Sequence, residues 1–146
     1  SGEQIMNGDP IVEMAMTMFT SLMAIAVQID GKSEEEKMQA ATDAALNKRI
    51  DLSSMMPNMK ESALVIRDGG KAILEMNNGK QQMSHELTAN EMNRLSQVLN
   101  NSEITDDVKR QRVTGIVNSI IVAGQVSQNY EQQANQSENQ NEVIRR

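Results

Sequence analysis

The chain has no cysteine and no tryptophan, and it carries a single tyrosine, a single phenylalanine and two prolines in 146 residues. Without cysteine there is no disulfide framework and no thiolate metal site. That fits a cytosolic protein, and equally a bacterial protein exported without oxidation, so the localisation stays open between the two. With aromatics at 1% the core falls to aliphatic side chains and to methionine, of which there are twelve. Methionine adapts to irregular gaps and packs less rigidly than rings do. The net charge of −6 lacks the basic footprint of a nucleic-acid binder. It also argues against docking on anionic lipid.

The usual signatures of chemistry are missing too. His85 is the one histidine. Its neighbours Ser84 and Glu86 do not face it on a helix, so they make no triad. It reads as a surface or partner-contact residue. Asp68-Gly69-Gly70-Lys71 lacks the spacing and the following Ser or Thr of a phosphate loop, and reads as a turn. The acidic clusters Glu34–Glu36 and Asp106–Asp107 fall at predicted helix N-termini, where the helix dipole favours them. Lys109-Arg110-x-Arg112 reads as a solvated face. No group meets the requirements of an active site, so neither an enzyme nor a cofactor is expected. Met55, Met56 and Met59 could converge as soft ligands for Cu(I) in a periplasmic metal-handling module. Core or binding-surface methionine is the preferred reading.

What is present is helical. Pro10–Ile29 is the most apolar stretch, with Asp9 as N-cap and Pro10 at the first helical position. One stripe runs Ile11, Met14, Met18, Leu22, Ile25, Ile29; a second runs Val12, Met16, Phe19, Met23, Ala26, Val27. A helix apolar on most of its circumference must be covered. Its flank is acidic rather than basic, and its uninterrupted length falls short of the hydrocarbon slab, which disfavours a transmembrane span or a signal segment. Asp30-Gly31-Lys32 breaks this helix. Ser33 and Glu36 form a capping box for a second, whose apolar side is Met38, Ala41, Ala45 and Leu46, closed by Lys48 and Arg49. The two helices are expected to pair as an antiparallel hairpin.

Residues 51–58 form a break. Leu64–Arg67, the Asp68-Gly69-Gly70 turn and Lys71–Met76 read as a β-hairpin, with a short helix over Asn58–Arg67 as the alternative. Thr88 and Glu91 cap a short helix bearing Met92, Leu95, Val98 and Leu99. Thr105 caps the last helix, with a seam of Val113, Ile116, Val117, Ile120, Ile121 and Gly124. The expected fold is therefore mainly α: a bundle of four to five helices with a small irregular or β-hairpin insert. Residues 1–9 read as a tag scar (Ser1-Gly2) and flexible N-terminus, 10–130 as the helical domain, and 131–146 as a polar, frayed or disordered tail.

The order of parts resembles the hydrophilic translocator proteins of bacterial type III secretion, the filament and needle-tip components. The likeness is carried by Met18-Phe19-x-x-Leu22-Met23 in the first helix and by the capped run from Leu87 to Ser102. It implies self-assembly or docking through paired first and last helices, with a chaperone masking the apolar helix before export. The function expected is that of a structural or interaction protein that binds itself or a protein partner. Its partner interface is placed on Met14, Met18, Leu22 and Ile25 and on Val113, Ile116, Val117, Ile120 and Ile121. An adaptor or chaperone for one exported client is the alternative.

Overall fold

The structure, a computed structural model, describes residues 9–124. The chain divides into two units after Thr114. In the first unit the elements run α1 (Pro10–Ala26), α2 (Glu34–Asn47), β1 (Arg49–Asp51), β2 (Glu61–Arg67), β3 (Lys71–Asn77), β4 (Gln82–Glu86) and α3 (Ala89–Leu99). A fourth helix, α4, covers residues 106–124, and the unit boundary falls within it. Residues 1–8 of the flexible N-terminus expected over 1–9, and the polar tail expected over 131–146, lie outside the described residues.

The four strands form one antiparallel meander in the order β1-β2-β3-β4. This overturns the mainly helical bundle: the fold is α+β. The Asp68-Gly69-Gly70 turn joins two strands paired from Glu61↔Asn77 to Arg67↔Lys71, so no helix occupies 58–67. This pair is not an insert, however. It is the centre of the sheet. β1 pairs Ile50 with Leu64, and β4 pairs Met83 with Met76. Each edge strand buries a single apolar side chain, too little to show a period of two. Lys48 and Arg49 do not close a helix with positive charge. Lys48 is a left-handed C-cap at φ 50, and Arg49 begins β1.

Ile50, Leu64 and Leu74 lie side by side across three strands, each 1% exposed. Alternate residues share a sheet face, so this row defines the inner side. α1 lies against β1, β2 and β3 and packs on α3. It contributes Ala15, Met18, Phe19, Leu22, Ile25 and Ala26 to the core, and α3 contributes Met92, Leu95 and Leu99. The expected α1–α2 hairpin is thereby corrected. α1 meets α3 more extensively than it meets α2, and α2 buries Ala44 alone.

The expected caps are in place. Asp9 Oδ1 accepts from the Ile11 N–H at 2.9 Å. Ser33 and Glu36 satisfy each other's backbone N–H groups, as do Thr88 and Glu91. The first helix stops at Ala26 with Val27 as C-cap, earlier than Ile29.

Candidate interaction surface

Most of the residues expected to meet a partner are interior. Met18, Leu22, Ile25 and Val113 are at most 5% exposed, and Met14 is half-buried. In the second unit Val117, Ile120 and Ile121 are buried and Ile116 is half-buried. The α1 stripe is covered by α3 and the sheet within one chain, so it is core rather than a docking face.

Ile11 and Met16 on α1 and Val122 on α4 are exposed, but the most exposed large apolar side chains among the described residues lie elsewhere. Met38 is 71% and Leu46 76% exposed, both on α2. That helix has two apolar sides. Ala40 and Ala44, one turn apart, face the protein together with Lys37. Met38, Thr42, Ala45 and Leu46 form a stripe on roughly the opposite side, at about 100° per residue. The Thr42 hydroxyl donates to the Met38 carbonyl at 3.0 Å, so it needs no outside partner. Exposed acids Glu34 and Glu35 stand at the N-terminal end of the stripe, and exposed Lys48 at the other. Sequence reasoning singled out Met38, Ala41, Ala45 and Leu46 but turned them inward. The usual rule buries the larger apolar side chains first; here the helix docks through its alanines instead.

The outer face of the sheet is closed by charge. Arg49 and Arg67 converge on Glu75, Arg49 at 2.8 Å, across the buried side chains of Ala63 and Val65. The bonded Arg49 guanidinium holds the Glu75 carboxyl below the usual glutamate range against the effect of burial, and Arg67 adds to it. His85, expected as a surface or partner-contact residue, is part-exposed and engaged within the chain. Its Nε2 lies 2.8 Å from Glu91 Oε1, the oxygen that also accepts from the Thr88 N–H. Burial pushes the Glu91 carboxyl up, but the Thr88 and His85 bonds outweigh it and bring the group below its ordinary value. Met55 and Met56 are core side chains and Met59 is half-buried.

Arg110 is not part of a solvated basic face. Its guanidinium donates to the Ile25 and Gln28 carbonyls at 3.2 and 2.8 Å, supplying donors to the C-terminal end of α1. Hydrogen bonds from a charged donor contribute more than neutral ones do. Replacing Arg110 with alanine is therefore expected to lower unfolding stability by about 1–3 kcal/mol in denaturant titration. Both bonds come from Nη2, so Arg110→Lys recovers part of that loss: an ammonium can donate to two carbonyls, but it loses the Nη1 bond to Asp107.

Two depressions flank these elements. One lies among the end of α1, α2 and β1, floored by Ala26, Ala40, Ala44 and Ile50. Three of its four charged residues are internally bonded: Asp43 to Gln39, Asp51 to Ser53, and Arg49 to Glu75. The other lies between the start of α1 and the β2–β3 turn, lined by Val12, Met16, Ile66 and Gly70. Among the described residues no helix is long and apolar enough to cross a membrane. Comparison of the chain with protein-family models, with curated proteins and with solved structures finds no match.

Proposed function

We propose that the chain is an interaction protein that works by burying the outer face of α2 against another protein chain. The carrying observation is the exposure of Met38 and Leu46 on one side of a helix whose opposite side already meets the core. Methionine-rich apolar surfaces re-pack against a partner with little penalty. The resemblance of residues 87–102 to type III secretion translocators supports the same class of role, assembly rather than chemistry. In this reading the contact moves from the first and last helices to α2, since most of the α1 stripe is used within the chain.

The test is a photo-reactive side chain placed at position 38 or 46 in cells that naturally make the protein. Irradiation is expected to yield a discrete covalent adduct with a protein. The same probe at exposed Asp106, away from the stripe, should yield none. No adduct from either α2 position would sink the reading.

A further inference from the structure

The outer stripe of α2 carries a pattern that identifies its occupant. Thr42 stands midway between Met38 and Leu46 in sequence. Lys48 lies as far beyond Thr42 as Glu36 lies before it, within one residue of the mirror position of Glu35. The small side chains Ala41, Thr42 and Ala45 sit at the middle, with the large ones towards the ends. Glu35 and Lys48 have no ion-pair partner among the described residues. A surface with acid at one end, base at the other and apolar groups symmetrically between is complementary to itself when reversed.

We propose that a second copy of this chain covers the face, with the two α2 helices pairing antiparallel about a two-fold axis at Thr42. The inference rests on the reading that this stripe is the docking surface, and it names the partner. In that arrangement Met38 packs on the partner subunit's Leu46, and Leu46 on the partner subunit's Met38. The alanines and Thr42 allow the helices to approach closely at the crossing. Glu35 comes beside the partner subunit's Lys48, while Arg49 stays paired with Glu75 of its own chain. An opposite partner charge at a rim favours encounter and fixes direction. A parallel pairing would set Glu34 and Glu35 against the same acids and is disfavoured.

The whole chain tests this by sedimentation at low salt, from about 1 mM down to about 1 µM, the range in which small interfaces dissociate. The mass is expected to move between 16.2 kDa and twice that value. Met38→Glu with Leu46→Glu weakens association at least about a hundredfold, since it buries unpaired charge. Circular dichroism confirms that these exposed positions leave the fold intact. Lys48→Glu also weakens the dimer, and adding Glu35→Lys restores it. The chain has no cysteine, so Thr42→Cys introduces a single thiol at the axis, and mild oxidation should give a disulfide-linked dimer. A strict monomer at the highest concentration overturns the proposal. So does a dimer that is indifferent to the α2 variants. If the photo-reactive probe nevertheless captures a different protein, the docking surface stands and the second copy is excluded. If it captures nothing, both fall.

Discussion

Leu64→Ala is expected to be among the most damaging single substitutions, costing about 2–5 kcal/mol in denaturant unfolding. Leu64 is 1% exposed and sits between Ile50 and Leu74 in the inner row of the sheet. Two neighbouring strands flank it in register, and α1 lies over the same face. The surroundings are therefore held on several sides and collapse poorly into the space left by an isobutyl group. A loss of that size is a large fraction of the total stability of a small domain, and the variant should be partly unfolded at 37 °C. Glu61→Ala, on the same strand but exposed, changes stability by less than about 0.5 kcal/mol. A Leu64→Ala loss under about 1 kcal/mol would mean that methionine-rich packing absorbs cavities far better than the cores from which the estimate comes.

Gly70→Ala is expected to cost about 2–4 kcal/mol, from backbone strain and overpacking together. Gly70 has φ +75, and a Cβ built there would lie 2.8 Å from Val12 Cγ1 and 3.2 Å from Val12 Cβ. Val12 is β-branched and stiff at χ1, and its Cβ is fixed to the helix backbone. The first turn of α1 must therefore shift away from the hairpin. Gly69 supplies the control. Its φ of +80 imposes the same backbone strain, but nothing lies within 4 Å of the added Cβ. Gly69→Ala should cost only the conformational part, about 1–2 kcal/mol. The difference between the two variants measures how tightly α1 is seated on the β2–β3 turn. Equal losses would show that the contact has no energetic weight.

What could be read before folding was local. Asp9, Ser33 and Thr88 act as caps because their side chains reach backbone donors two or three residues away. The glycine pair after Asp68 marks a turn because both residues take positive φ. The apolar face of α1 was legible as a face that must be covered, although not as one covered by α3. β1 and β4 were not legible. Arg-Ile-Asp and Gln-Met-Ser-His-Glu each bring one side chain to the core, and their pairing is decided by neighbours distant in sequence. The inward side of α2 was misread because four alanines give a helix a second apolar side that composition alone cannot rank against Met38 and Leu46. The role of Arg110 depends on carbonyls 82 and 85 residues away, which no local pattern records.

The pairing of α1 with α3 also sets an order of events during synthesis. The sheet is a meander whose strands each meet a neighbour as soon as it is made. The helix that covers α1 ends at Leu99, 73 residues after α1 ends at Ala26. At roughly 5–20 residues per second, α1 leaves the ribosome about 4–15 s before α3 is complete. During that interval Met18, Phe19, Leu22 and Ile25 have at most the growing sheet for cover. The nascent chain is then most in need of a temporary partner, at a stretch that the finished protein no longer displays.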